Sequence, residues 1–425
     1  MTGVSTGGLR SLGLVGSDRT SSALYTDQGI FEAEMKNIYE KTWVWVAHDS
    51  EIPNAGDFKL SHVGLNPVII VRDRKGQVHV HVNRCRHRAS TLCEVRKGRT
   101  SSFVCPYHGW SYGLDGSLRG IPHEEGNDPN FRKSDFPLLS LRVEQYKGLY
   151  FATFNKDIEP LDSFLGGAKK WIDLFLKQGG GYPIKAMGEH KIRYPGNWKI
   201  QLENTTDAYH FPFVHKSFLE ATDKETEDQM DVMNNGGYVE HLGNGHCVLV
   251  LIPELVDLDE NLDAPIPEKF ADLARELAKD YPDDQVRRIV RGVGGTGFLL
   301  NLFPNLGCSM AFFRVLRPIA VDETEIRHIA IGMDGGPEAG NRVRRRIHEF
   351  FQGPMGFGSP DDAEAWDRVQ CGAQGGRSQI PVLLTRGLSQ EDIVREGLLR
   401  SQHVSGETGM RAAYAQWAKL MEDAE

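Results

Sequence analysis

The pairs Cys85-Arg-His87 and, after 17 intervening residues, Cys105-Pro-Tyr-His108-Gly-Trp110 each set one thiol and one imidazole on a short loop. Zinc-finger spacing pairs Cys with Cys and His with His, so a mixed pair on each loop argues for a different metal group. A two-iron cluster suits it: one iron takes Cys85 and Cys105, the other takes His87 and His108. Imidazole ligation leaves such a cluster less negative than four thiolates do, and raises its potential to between about −150 and +300 mV. Pro106 and Gly109 supply a turn that aims N–H groups at the sulfurs, and Trp110 shields the group from water. Cys93, between the loops, reads as a small core residue.

Around these loops the sequence has the texture of strands. Pro67–Arg72, Val78–Val82 and Gly148–Phe154 are short runs of β-branched and aromatic residues separated by turn formers, which predicts a small antiparallel β domain. Before it, Ile30, Phe31, Met35, Ile38 and Tyr39 fall at helical spacing over Asp27–Trp43. After it, a helix is expected over Leu161–Lys177, ended by the glycines that follow. The rest mixes strands (Cys247–Leu251, Ser309–Leu316, Thr324–Met333) with helices (Pro267–Lys279, Asn341–Gln352, Asp361–Val369, Thr408–Met421), the pattern of helices lying on an antiparallel sheet. The fold class is therefore α+β. Residues 1–38 are expected to pack on the catalytic domain, 39–158 to form the cluster domain and 159–425 the catalytic domain.

A second constellation lies in that last domain. Asn204, Asp207, His210 and His215 fall within twelve positions. Two imidazoles and a carboxylate on one face of an octahedron leave open positions for O₂, the donor set of non-haem iron(II). Residues five apart do not share a helical face, and Pro212 supplies the break that lets the two histidines converge. Asp207 is the carboxylate at hand within that window, while Ser359-Pro-Asp361-Asp362, far along the chain, holds two further aspartates and also reads as a helix cap.

These motifs resemble those of the α (large, terminal oxygenase) subunits of Rieske non-haem iron aromatic ring-hydroxylating dioxygenases. The resemblance rests on Cys85-x-His87-Arg88, Cys105-Pro-Tyr-His108-Gly-Trp110, Asn197-Trp-Lys, Asp207-Ala-Tyr-His210 with His215, and the late Gly353–Glu364 segment. It implies one [2Fe–2S] cluster and one mononuclear Fe(II) held by His210, His215 and, from the late segment, Asp362, with its neighbour Asp361 as the competing donor. It implies that Asp207 links His210 to the cluster ligand His108 of a neighbouring subunit, and that Asn204 lies near the iron. It implies an α₃ or α₃β₃ oligomer with a small β subunit, electrons from NADH through a separate ferredoxin or reductase, and an aromatic substrate, with a lean towards an aromatic carboxylic acid. The alternative within this chemistry is a Rieske monooxygenase such as an O-demethylase or a quaternary-ammonium hydroxylase. O-Demethylases are shorter, and quaternary-ammonium hydroxylases carry Glu where this chain has Asp207. Phe211, Phe213, Leu300, Leu302, Phe303 and Phe357 are candidates to line the pocket, with ordinary core as the competing reading.

Composition agrees with a globular enzyme and excludes other classes. The 425 residues carry 49 Lys and Arg against 58 Asp and Glu, a formal charge of −9, with no basic cluster to neutralise a phosphate backbone, so nucleic acid is not expected as a partner. The most apolar window, Gly297–Leu316, is interrupted by Asn301, Pro304, Asn305 and Arg314 and does not meet the bilayer requirement of about 20 apolar residues. Six cysteines are too sparse for a disulfide scaffold, and the leader lacks a signal-peptide core, so a cytoplasmic location is expected.

Overall fold

A computed structural model describes residues 13–422 apart from 261, 376–380 and 396–397. The chain divides into two compact units, one spanning Met35–Phe164 and the other taking the residues before and after it.

The inner unit is built from small antiparallel sheets. Asn66–Arg72 lies between Asp57–Val63 and Val78–Val82, with Lys97–Arg99 on the outer side of Asp57–Val63. Val68, Ile69, Ile70 and Val71 are all fully buried, so this strand is covered on both faces and shows no alternation. Leu149–Thr153 runs between Arg142–Tyr146 and Val44–His48. A third sheet of Phe103–Val104, Ser111–Tyr112 and Leu118–Gly120 bears the second Cys/His loop at the tip of its first hairpin. Both cysteines of the motif belong to the core that includes Phe58, Ile69, Phe103 and Trp110.

The other unit holds, among the described residues, a nine-stranded antiparallel sheet. Its order is Ile184–Tyr194, Glu323–Met333, Phe312–Ala320, Leu306–Ser309, Phe298–Leu302, His246–Val250, Tyr238–Gly243, Leu398–Ser401 and Glu391–Arg395. Helix Glu338–Gln352 lies on the strand Glu323–Met333, and helix Thr408–Glu422 on Tyr238–Gly243 and His246–Val250. Helix Trp198–Asn204, capped by the Asn197 side chain accepting from Lys199 N–H, carries the start of the second constellation. It is anchored through Glu34, fully buried, whose carboxylate accepts from Lys199 Nζ (2.6 Å), Trp198 Nε1 (2.9 Å) and Trp417 Nε1 (2.7 Å). Three stretches far apart in sequence meet on that one carboxylate. Glu203, next along the helix, accepts from the hydroxyls of Tyr25 (2.7 Å) and Tyr414. No helix of the described residues is long and apolar enough to cross a membrane.

Several element boundaries differ from the sequence reading. The periodic stretch from Asp27 is an α-helix only over Gln28–Glu34, and winds into a π-helical turn over Met35–Tyr39, where the chain passes between the units. The helix expected over Leu161–Lys177 breaks at Gly166, whose φ of 45° ends one helix at Leu165 before another starts at Ala168. Ser309–Leu316 is not one strand: Ser309 closes Leu306–Ser309 and Phe312 opens Phe312–Ala320, with a reversal at Met310 (φ 40°). A methionine in the left-handed region carries no turn signal, so the hairpin was hidden.

Candidate functional site

In the inner unit the two Cys/His loops repeat one local conformation. Cys85 C=O accepts from Ala89 N–H and Cys85 N–H donates to Ser90 C=O; Cys105 C=O accepts from Gly109 N–H and its N–H donates to Trp110 C=O. Ala89 and Gly109, at the matching position, both have left-handed backbones (φ 60° and 70°). A Cβ on Gly109 would lie 2.8 Å from Pro122 Cγ, so glycine is required there twice over. The loops bring their ligands together. Cys85 and Cys105 are buried (2% exposed each) in one core, with Cys85 Sγ 3.3 Å from the Tyr112 hydroxyl, and the His87 and His108 ring centroids are 4.5 Å apart. The cysteines face the core and His87 faces solvent. Trp110 stacks on His87 at 4.9 Å, in the shielding place expected of it. Burial pushes the Cys105 thiol up, but N–H groups of Tyr107 and His108 and the neighbouring Cys85 outweigh this and hold it below its ordinary value. A buried thiol already stabilised as thiolate by backbone donors is the donor a cluster needs. Cys93 is only half-buried, packs against the same core and points its Sγ at Val95 C=O, 3.6 Å away.

The second constellation converges as well. His215 Nε2 lies 3.2 Å and His210 Nε2 3.5 Å from Oδ1 of Asp362, and one donor atom from each of the three residues falls within a 4.8 Å span. Asn204 Nδ2 donates to the same Oδ1 at 3.1 Å and sits 3.3 Å from His210 Nε2. Behind His210, Asp207 presents Oδ2 at 3.3 Å from Nδ1, while its Oδ1 accepts from Tyr209 N–H at 2.6 Å in a tight turn. Pro212 does not break a helix between the histidines. It sits in the first turn of a new one-turn helix, Phe211–Val214, with His210 before it and His215 after it. The rings converge because they flank that turn, their centroids 5.3 Å apart.

Asp362 and its neighbour separate cleanly. Asp362 is 2% exposed; Asp361 points elsewhere and accepts from Ser217 Oγ at 3.0 Å. Neither caps the helix Ser359–Gln374, whose N-cap is Gly358 without a side-chain bond, so the capping reading of this segment fails. Burial would raise the Asp362 carboxyl, but His215, His210 and Arg314 hold it below the usual carboxylate range. Two imidazole nitrogens and an ionised oxygen, buried and turned towards one point, fit iron(II).

The triad opens on a cavity of about 720 Å³. Its apolar wall comes from Phe211, Phe218, Phe351, Leu255, Ile266 and Leu299. Of the six apolar residues proposed from sequence as its lining, only Phe211 lines it. Phe213 is 70% exposed; Leu300, Leu302 and Phe303 lie in the core; Phe357 packs against the cluster that includes Phe211, its ring 5.1 Å from that of Phe350. Strand alternation explains the error, since Leu299 faces the cavity and Leu300 the opposite side. Arg314, buried (6% exposed) and lining the same cavity beside Asp362, entered the sequence reading only as an interruption of an apolar window. That interruption was itself the signal, because an arginine inside such a stretch requires buried partners.

Residues 42–146 match the family described as the Rieske [2Fe-2S] domain, and residues 184–423 match the ring hydroxylating alpha subunit (catalytic domain). The anthranilate 1,2-dioxygenase large subunit of Acinetobacter baylyi is 30% identical, over 95% of this chain and 90% of its own length. The toluate 1,2-dioxygenase subunit alpha of Pseudomonas putida is 31% identical, over 84% and 80%. Among solved structures, naphthalene 1,2-dioxygenase with indole bound in the active site superposes with a TM-score of 0.80 at 27% identity, covering 96% of this chain and 94% of that one.

Proposed function

We propose, from the premise that this chain belongs to the ring-hydroxylating oxygenase α subunits and so carries a Rieske [2Fe–2S] cluster and a mononuclear iron, that it hydroxylates or cis-dihydroxylates an aromatic carboxylic acid. The observation that carries the proposal is the set of half-buried His210 with buried His215 and Asp362, opening on a largely apolar cavity. When bound, the cluster supplies single electrons and the iron activates O₂ beside the ring.

The residues divide the remaining work. Cys85, His87, Cys105 and His108 hold the cluster; His210, His215 and Asp362 hold the iron. Asn204 fixes the Asp362 oxygen that faces both imidazoles. Phe211, Phe218 and Phe351 offer flat apolar faces to a ring and exclude water around it. Lys269, Arg287, Arg291 and Arg346 give the same cavity a cationic wall, which suits a carboxylate. The names of the relatives, anthranilate, toluate and 2-halobenzoate dioxygenases, favour the same class of substrate.

Asp207 fixes His210 from behind, and its carboxylate has lone pairs left for the His108 ring of a neighbouring subunit. Tyr209 and Phe213, 41% and 70% exposed, give that surface apolar area for a neighbour to cover. The proposal includes an α₃ or α₃β₃ assembly, fed from NADH through a separate ferredoxin or reductase in the cytoplasm, as the resemblance to the family implies.

The test is oxygen uptake by the reduced holoenzyme against a panel of aromatic acids and their parent hydrocarbons. Uptake coupled to a hydroxylated product is expected with the acids. Coupled turnover with hydrocarbons alone would refute the substrate class, and product analysis separates diol from phenol.

A further inference from the structure

We propose that Arg386 is a positioning residue for electron transfer: stacked on Tyr209, it holds the turn that aims the Asp207 carboxylate at His210 and at the His108 ring of a neighbouring subunit. The proposal rests on the role given to Asp207 above and adds what keeps that carboxylate in place. Asp207 lies on the short link between helices Trp198–Asn204 and Phe211–Val214. Its Oδ1 accepts from Tyr209 N–H at 2.6 Å, which leaves Oδ2 at 3.3 Å from His210 Nδ1. The aim of the carboxylate therefore depends on where the backbone of Tyr209 sits. Ala208 is buried in the core, but Tyr209 is 41% exposed, so the outer half of the turn needs an anchor of its own.

Arg386 supplies it from a distant part of the chain. Its guanidinium lies over the Tyr209 ring, with Cζ 3.6 Å from the centroid, and Phe213 closes on the same ring edge to face at 5.8 Å. A planar guanidinium stacked on an aromatic face keeps its N–H fork free to bond in its own plane. Arg386 uses that fork: Nε donates to Ser405 C=O at 3.3 Å and Nη2 to Ser405 Oγ at 2.9 Å. Its backbone is fixed as well. The N–H donates to Glu407 Oε2 at 2.8 Å, and the C=O accepts from Glu407 N–H and from Arg411 Nη1, each at 3.1 Å. Arg411 lies in the first turn of helix Thr408–Glu422, so the stack ties the Asp207 turn to the entrance of that helix.

The anchor also lies within electrostatic reach of the carboxylate it serves. Burial, opposed by the Arg386 N–H and the Arg411 charge, pushes the Glu407 carboxyl up, and the Asp207 charge adds to the rise. The Arg386 guanidinium acts on Glu407 in the opposite sense and so offsets part of that repulsion. Its plane fixes the ring while its charge keeps a second carboxylate from driving Asp207 away. Electron transfer through a carboxylate bridge needs both imidazole contacts at once, so its rate follows the fraction of time for which the turn is formed.

The experiment compares wild-type holoenzyme with Arg386→Gln, Tyr209→Leu, Tyr209→Phe and the double variant of the first two. It follows single-turnover reoxidation of the pre-reduced cluster and hydrogen exchange at the backbone amides of residues 207–210. Arg386→Gln and Tyr209→Leu are each expected to slow reoxidation by about 10- to 100-fold. Both should speed exchange at the Tyr209 amide that Asp207 protects, while exchange in Thr408–Glu422, metal content and oligomeric state stay as in wild type. Tyr209→Phe keeps the ring and should keep both rates. The double variant should be no slower than the slower single one, because the two side chains act as one stack. Tyr209→Leu against Tyr209→Phe decides the matter if Arg386→Gln does not fold. Wild-type rates in Arg386→Gln and Tyr209→Leu beside a slow Asp207→Asn would overturn the proposal, as would multiplied losses in the double variant. So would a folded Arg386→Gln that loses its oligomeric state, which would make Arg386 an intersubunit contact. A wild-type rate in Asp207→Asn would instead overturn the role of Asp207, and this proposal with it.

Discussion

Asp207 gives one oxygen to the Tyr209 N–H and turns the other to His210 Nδ1. In Asp207→Asn the single remaining oxygen is held by the turn, and an amide N–H then faces the imidazole N–H. Size and fold are preserved and both metals stay bound. Single-turnover reoxidation of the pre-reduced cluster, followed by its visible absorbance, should slow by orders of magnitude; a surface aspartate without this role would change stability by no more than about 0.5 kcal/mol and leave the rate alone. At this scale the donors were legible because metal chemistry restricts residue type and spacing. Asp362 was not separable from Asp361 by chemistry alone, since adjacent carboxylates differ only in direction, and direction is set by how Ser359–Gln374 packs. Arg314 was missed for the same reason. Its partners lie on elements 38 to 109 residues away in sequence, with only His328 nearby at 14.

The two cluster loops pose a matched comparison between elements of one shape. Gly109→Ala forces a left-handed alanine, at roughly 1–2 kcal/mol, into a Cβ position already filled by Pro122. Lower cluster content and a lower melting temperature are expected. Ala89→Gly relieves the same backbone strain in the partner loop while loosening the unfolded chain by about 0.4–1 kcal/mol, so the two effects offset and cluster content should stay near wild type. Absorbance per iron together with calorimetry on both variants checks this. Continuous β-branched and apolar runs were read from sequence as strands, as Asn66–Arg72 and Glu323–Met333 show. Helix Asp283–Val293 went unread although Val286, Ile289, Val290 and Val293 are spaced for one buried face. The Met310 reversal had no such trace, because it is imposed by the strands on either side.

Across the whole molecule, the buried Glu203 couples stability to pH. Burial, opposed by the Tyr414 and Tyr25 hydroxyls and by Lys199, raises its carboxyl from 4.5 to about 7. The folded state therefore holds a proton that the unfolded state releases near its ordinary value. This stabilises fully below about pH 4.5 and fades as pH rises through about 7, by on the order of 3 kcal/mol in all. Glu203→Gln removes the dependence: its melting temperature relative to wild type should rise between pH 5.5 and pH 8, and a constant difference would refute the assignment. That carboxylate shares a helix with the Lys199 end of the Glu34 cluster, where Trp417 arrives from 383 positions further along the chain. A nascent polypeptide extends from its N-terminus, so Met35–Phe164 is contiguous and can close early in synthesis, whereas the helix bearing Asn204 waits for Trp417 to emerge. The order of synthesis thus completes the chain of the cluster pocket long before the iron pocket has its last support.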